Sequence, residues 1–270
     1  MPLIFLFFTT FSSLIFLSNA SEEMKVSLGK NWNFAPSVET ISSDDIKFFN
    51  SSHTKELLNS SAGSWISRGS GQESLISLRS PVLTGSGACG SFLILEDSLP
   101  IRPAGFCNVN NLFEVSSNLA SRIEVLKGPS SARFGGNALH GAINFKTLNI
   151  DEKNYLKTEV NNDESFKSSF QYQEDSSWTL GLSLNKDKGF REATGFDQQK
   201  LAFKAFSEVD DWEAQTFINL TNLNQETAGY INSYKTSSRL SNLNPEAYRD
   251  AKSLRLNSLL SKNKGDFSLQ

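Results

Sequence analysis

Two cysteines, two histidines and two methionines are all that the 270 residues hold, and each scarcity closes a class of function. Zinc and other transition-metal sites need Cys or His at paired, short spacings. Neither Cys89 with Cys107 nor His53 with His140 supplies one, so no metal site is expected. Positive charge is not in excess either: 26 Lys+Arg stand against 29 Asp+Glu, a net charge of −3. That balance leaves no basic footprint for nucleic acid or an anionic membrane surface. After residue 20 no run is apolar enough for a transmembrane helix. The composition, 38% hydrophobic and 20% charged, is foldable but polar, and the length allows one or two domains with real cores.

The first twenty residues differ from the rest. MPLIFLFFTTFSSLIFLSNA carries no charged side chain and ends in Ser18-Asn19-Ala20, a small-x-small pattern ahead of SEE. This reads as a secretory signal peptide, residues 1–20, cleaved after Ala20, with only the α-amino group supplying positive charge. The alternative is an amino-terminal anchor helix, which Thr9, Thr10, Ser12 and Ser13 interrupt. Export places Cys89 and Cys107 where thiols oxidise, so a disulfide between them is expected, stabilising by about 3 kcal/mol on the chain-entropy view. Residues 21–30 are short, charged and aperiodic, a flexible tail.

From Asn31 to about Asn149 the texture is mixed. A helix start stands at Ser42/Ser43 with acidic residues in its first turn, and Leu57 and Leu58 mark a second short helix. GQESLISLRS and SFLILEDSLPI read as strands, the latter turning at Asp97-Ser98, and a short helix feeds a strand over Arg122–Lys127. Glycines then crowd together: Gly128, Gly135, Gly136 and Gly141, with Pro129 after the first and a strand over Ala142–Lys146 beyond the last. This is no phosphate loop, because a P-loop needs Gly-Lys-Ser/Thr to meet phosphate and Mg²⁺. It lacks the Gly-x-Gly-x-x-Gly of dinucleotide folds. No Gly-x-Ser-x-Gly elbow occurs in SRGSGQ or TGSGACG, and neither histidine has an obvious acidic partner. The chain is therefore not expected to be an enzyme, and no cofactor is implied. What remains is architecture: Gly135, Gly136 and Gly141 should have positive φ or neighbours too close for a side chain.

Beyond residue 150 the pattern becomes long alternating segments. Trp178, Leu180, Leu182 and Leu184 share one face against Thr179, Gly181, Ser183 and Asn185. Trp212, Ala214, Ile218 and Leu220 oppose Glu213, Gln215, Asn219 and Thr221, and Phe166, Phe170 and Tyr172 repeat the habit, as do Leu254, Leu256 and Leu260. Segments of about ten residues with period two and polar turns are the signature of outer-membrane β-strands, with a soluble β-sandwich as the alternative. Trp178 and Trp212 near segment ends favour a membrane girdle.

Taken with the export signal, Arg122-Ile123-Glu124-Val125-Leu126-Lys127-Gly128-Pro129, then Phe134-Gly135, then Gly141-Ala142-Ile143-Asn144 resembles the late plug segment of TonB-dependent outer-membrane receptors. Earlier pieces follow the family order: SLISLRS with Arg79 in place of an Ile-Arg-Gly segment, and FLILEDSLPI in place of a strand ending Asp-Gly-x-Pro. Ser80 and Ser98 stand where the family has glycine, so those turns are expected to be altered. The resemblance implies an α+β plug domain over residues 31–149 followed by antiparallel transmembrane β-barrel strands over residues 150–270.

It further implies energised uptake of a scarce nutrient, a ferric siderophore or a vitamin such as cobalamin, in the outer membrane of a Gram-negative bacterium. The partners would be TonB with ExbB/ExbD, a small-molecule ligand such as a metal chelate, and outer-membrane lipid. Glu22, Glu23, Met24, Lys25, Val26, Ser27 and Leu28 are the candidate TonB box, a strand that pairs with TonB by β-addition. The apical-loop positions make Arg68, Gln72, Arg102, Phe106 and Asn108 ligand-contact candidates. Arg79 and Lys127 are the candidates for docking plug to acidic groups of the barrel wall. A plug-like periplasmic module that binds ligand or TonB without transport is the rival reading. Family barrels close about twenty-two strands. The roughly 120 residues after the plug suffice for about six or seven, so the chain is expected to be an incomplete receptor.

Overall fold

A computed structural model describes residues 37–69, 71–80, 91–102, 111–148, 153–174, 177–227, 242, 244–264 and 267–269. The signal peptide, the candidate TonB box, Cys89, Cys107, Phe106 and Asn108 lie outside the described residues.

The chain first builds a small α+β domain. Strand β1 (Val38–Ser42) runs into helix α1 (Ser43–Phe49) at the Ser42/Ser43 boundary that the sequence marks. The Ser42 hydroxyl accepts from the Asp45 N–H and the Asp45 carboxylate accepts from the Ser42 N–H, a reciprocal cap that satisfies two otherwise orphaned donors. Helix α2 (Thr54–Leu58) follows, then hairpin strands β2 (Ser64–Arg68) and β3 (Ser74–Leu78). Strands β4 (Phe92–Glu96), β5 (Leu99–Pro100) and β6 (Arg122–Lys127) come next. Two 3-10 turns, Leu112–Glu114 and Ser117–Leu119, precede β6. A one-turn helix α3 (Ser131–Phe134) and strand β7 (Gly141–Lys146) complete the domain.

The sheet order is β1-β6-β7-β4-β5, with β4 and β7 parallel and the other neighbours antiparallel. Because strand side chains alternate, this sheet has two buried faces. Phe92, Ile94, Ile123, Val125, Ile143 and Phe145 meet the helices and the β2–β3 hairpin in the main core. Leu93, Leu95, Leu126 and Ala142 form the second face, on which Phe134 packs. That double burial explains why β4 reads FLIL without alternation.

The glycine cluster turns this corner. Gly128 ends β6 with φ +125°, Gly135 ends α3 with φ +93°, and Gly141 opens β7 with φ +152°. A Cβ on Gly141 would lie 2.2 Å from the Leu126 carbonyl oxygen and 2.5 Å from Leu78 Cδ2. Gly136 meets neither expectation: its surroundings are open and its φ is not positive. The Asp97-Ser98 turn keeps positive φ at both residues without glycine. The Ser98 N–H donates to Asn144 Oδ1 at 2.9 Å, and Asn144 donates to Glu124 Oε2 at 2.8 Å, contacts that offset the left-handed strain.

Seven antiparallel strands follow: β8 (Tyr155–Val160), β9 (Phe166–Glu174), β10 (Trp178–Asp187), β11 (Phe196–Val209), β12 (Trp212–Glu226), β13 (Tyr248–Lys264) and β14 (Phe267–Leu269). Each pairs with its sequence neighbour in an open meander. Register aligns Leu156, Phe170, Leu182, Leu201, Leu220 and Leu254 in one row across six strands. The next row on that face is Tyr172, Leu180, Phe203, Ile218 and Leu256. Leu182, Leu184, Leu220, Leu254, Leu256 and Leu260 are all exposed. At about 3.4 Å per residue and the usual tilt near 45°, Gln199 to Val209 covers about 24 Å, close to the ~25 Å apolar band of outer-membrane barrels. Turns alternate in length as well. Asp210-Asp211 closes β11 to β12 tightly, whereas residues 188–195 and 227–247 join strands at the opposite end. Among the described residues no helix is long and apolar enough to cross a membrane, which leaves crossing by strands untouched.

Candidate functional site at the seam between the two sheets

The other face of the seven-stranded sheet carries Thr179, Gly181, Ser183, Asn185, Gln198, Lys200, Lys204, Asn219, Thr221 and Arg255, and the amino-terminal domain sits on it. Space is made first. A Cβ on Gly181 would lie 2.8 Å from Leu148 Cδ2 and 3.1 Å from Leu119 Cδ1, so glycine here lets Leu119 and Leu148 pack against Ala202. Polar groups then fix the register. Gln198 Nε2 donates to the Phe113 carbonyl at 3.2 Å and Lys200 Nζ to the Val115 carbonyl at 2.7 Å. Thr221 Oγ1 donates to the Glu114 carbonyl at 3.2 Å.

At the centre stands an ion cluster. Arg255 Nη2 and Nε donate to Glu96 Oε2 at 2.8 and 3.1 Å, and its Nη1 donates to Glu114 Oε2 at 3.2 Å. Asn219 Nδ2 reaches the same Glu96 oxygen at 2.9 Å. Glu96 and Glu114 are each 2% exposed and Arg255 11%. Beside them Lys204 Nζ stands 3.3 Å from Asp97 Oδ1. At this depth a carboxylate costs several kcal/mol to desolvate unless it is paired and hydrogen-bonded. Glu96 and Glu114 therefore tie the domain to β12 and β13.

A second contact lies at the tip of the β2–β3 hairpin, nearer the long connections. The Gln72 N–H donates to Gln225 Oε1 at 2.8 Å, and Gly71, with φ +52°, has no room for a Cβ against the same side chain. Glu73 pairs with Arg249 at 2.9 Å. Gln72 Nε2 and Asn185 Nδ2 both donate to the Ser52 carbonyl at 2.9 Å.

Next to that carbonyl, His53 caps α2: its Nδ1 accepts from the Lys55 N–H at 2.9 Å, while Nε2 lies 3.3 Å from the Glu73 carbonyl. Burial, and then the Arg68 guanidinium, push the imidazole from 6.5 down to about 4. Protonation would turn the capping acceptor into a donor. With the folded value depressed, His53 contributes stability that is present above pH 6.5 and lost as pH falls towards about 4. A shift of this size corresponds to about 3 kcal/mol. His53→Asn, which still caps, should flatten that part of the pH dependence of the urea midpoint. An unchanged slope would refute the assignment.

The sequence-predicted residues fall into different places. Arg68 is exposed and its Nε donates to the Gly71 carbonyl at 2.9 Å, so it remains available at the hairpin tip. Gln72 is 4% exposed and held by Gln225, so its place is in the seam and not at a ligand surface. Arg102 is paired with Glu114, which draws it into the ion cluster.

Arg79 and Lys127 also depart from expectation. Lys127 pairs with Glu39 of β1 and holds that carboxyl below its usual range, and Arg79 Nη1 lies 3.4 Å from the Lys127 carbonyl. Among the described residues both cations therefore staple the domain to itself. At the seam the polarity is the reverse of the one expected, with acids on the domain and bases on the wall. Arg122 pairs with Glu124 at 2.8 Å at the end of β6, and Gly128, Pro129, Gly135 and Gly141 form the turns described above. Sequence reasoning missed Glu96, Glu114 and Arg255. The available signal was a glutamate closing an otherwise apolar FLILE strand, and an arginine at an inward position among Ser253 and Asn257.

An α+β domain seated on the polar face of an open antiparallel meander, with apolar rows on the meander's other face, is the arrangement of a plug domain against part of a β-barrel wall. Residues 31–142 match the family described as TonB-dependent Receptor Plug Domain. The fold is similar to parts of larger solved structures. The ferric yersiniabactin uptake receptor FyuA from Yersinia pestis aligns at TM-score 0.64 and 18% identity, over 86% of this chain and 39% of that one. The ferric citrate transporter FecA in its unliganded form aligns at TM-score 0.67 and 16% identity, over 85% of this chain and 37% of that one. The ferric enterobactin receptor PfeA of Pseudomonas aeruginosa, as a mutant bound to enterobactin, gives 0.57 and 15%, over 87% and 40%. The chain thus spans about two fifths of the length of these structures.

Proposed function

We propose that this chain acts in the outer membrane of a Gram-negative bacterium as a receptor for TonB-energised uptake of a small molecule, a ferric siderophore or a vitamin such as cobalamin. The observation that carries the reading is the two-faced meander: apolar rows on one side, and a plug bound by buried ion pairs on the other. A lipid-facing band has no use in a freely periplasmic module, which counts against the rival reading. The solved structures it resembles include a ferric yersiniabactin uptake receptor and a ferric citrate transporter, transport proteins rather than enzymes. On this reading residues 1–20 direct export, residues 22–28 are the handle for TonB with ExbB/ExbD, and exposed Arg68 faces the ligand.

Binding and energy input would then be separable. In cells lacking other receptors, deleting Glu22–Leu28 should abolish accumulation of radiolabelled ligand, screened from ferric siderophores and cobalamin, while surface binding stays nearly intact. Arg68→Ala should weaken binding of an anionic ligand by about tenfold, the value of one charge-assisted hydrogen bond. Normal accumulation after the deletion would mean that these residues are not the handle.

A further inference from the structure

The strand wall holds cations that it does not neutralise itself. Lys200, Lys204 and Arg255 are 6%, 7% and 11% exposed and face the plug from β11 and β13. The inward neighbours in their pairing rows include Thr179, Ser183, Ala202, Phe217, Asn219, Thr221, Ser253 and Asn257, none of them acidic. The carboxylates that Arg255 and Lys204 meet, Glu96, Glu114 and Asp97, all come from the plug. Among the described residues Lys200 has the Val115 carbonyl as its hydrogen-bond partner, also from the plug. The fit is incomplete on the acid side as well: Glu96 Oε1 is buried with no hydrogen-bond partner among the described residues.

We propose that these three basic side chains of the wall are an anion-binding site, filled at rest by plug carboxylates at Arg255 and Lys204 and by a plug carbonyl at Lys200, and open to a polycarboxylate ligand when the plug shifts. The proposal rests on the uptake reading above and names its ligand class. The physical reason is exchange. Withdrawing the plug without replacement would strip Arg255 and Lys204 of their carboxylates, and Lys200 of the Val115 carbonyl, in a low-dielectric wall, which is strongly unfavourable. A ligand carrying several carboxylates restores the pairs as the plug carboxylates leave. It therefore lowers the cost of plug displacement as well as following the path that displacement opens.

The test is hydrogen exchange of the protein in detergent micelles, followed by mass spectrometry, with tricarballylate as the probe and sodium chloride at matched ionic strength as the control. A species that binds only the shifted state raises its population by the factor one plus concentration over dissociation constant. Exchange of the Phe92–Glu96 and Leu112–Glu114 amides should accordingly speed up severalfold in tricarballylate and not in chloride. The Lys200→Gln/Lys204→Gln variant should lose most of the response, and Lys200→Arg/Lys204→Arg, which keeps charge and fold, should retain it. Equal rates in the two salts would overturn the proposal, as would an undiminished response in the glutamine variant. The assay contains no TonB and no transport, so its failure leaves the uptake reading standing, and failed uptake leaves its result intact.

Discussion

Replacing Arg255 with methionine should loosen the plug more than any other single change in the strand wall. The substitution keeps much of the side-chain volume but leaves Glu96, 2% exposed, with Asn219 as its one remaining side-chain hydrogen-bond partner among the described residues. Glu114 fares better because Arg102 still reaches it. Removing one member of a buried ion pair costs about 3–5 kcal/mol, since the other charge stays buried and uncompensated. The expected result is a marked fall in the urea concentration at which β4 becomes protease-accessible. Adding Glu96→Met to Arg255→Met should restore part of the loss, because a buried pair replaced on both sides by apolar groups is close to neutral. A double variant as weak as the single one would show that the charges do not act as a pair.

Gly141→Ala should be nearly as damaging, through sterics alone. The new Cβ would stand 2.2 Å from the Leu126 carbonyl oxygen, a backbone atom in the paired strand, and φ is +152°. Backbone strain and overpacking together amount to about 2–6 kcal/mol. The neighbouring Gly136→Ala is the control, because nothing lies within 4 Å of its Cβ position and it should be almost neutral. Urea unfolding of the two variants side by side checks the pair of expectations. Equal stability would remove the architectural explanation of the glycine cluster.

Much of the fold is legible because it is local. The Ser42 cap, the Asp97-Ser98 turn and the Gly128-Pro129 stop each rest on the chemistry of a few adjacent residues, and the structure has all three. The exposed apolar rows were legible for the same reason, since period two is a property of the strand itself. Strand β8 gave a weaker signal, with Leu156 and Val160 flanking the polar Thr158, and it shows as a strand only once paired to β9. The seam was hidden. Glu96 and Arg255 lie 159 residues apart, and nothing in either neighbourhood says which charge belongs to which sheet. For the same reason Lys127 gave no sign of choosing Glu39 of its own domain over an acid of the wall. Partner choice among charges is a long-range property that a one-dimensional pattern does not carry.

Energised uptake through this strand wall, the function proposed above, is best checked by one comparison. Radiolabelled ligand is offered to cells that carry this protein and no other receptor, with TonB present or absent, and surface binding and internal accumulation are both measured. Equal binding in the two backgrounds is expected, with accumulation only where TonB is present. Accumulation that proceeds equally without TonB would contradict the proposed function.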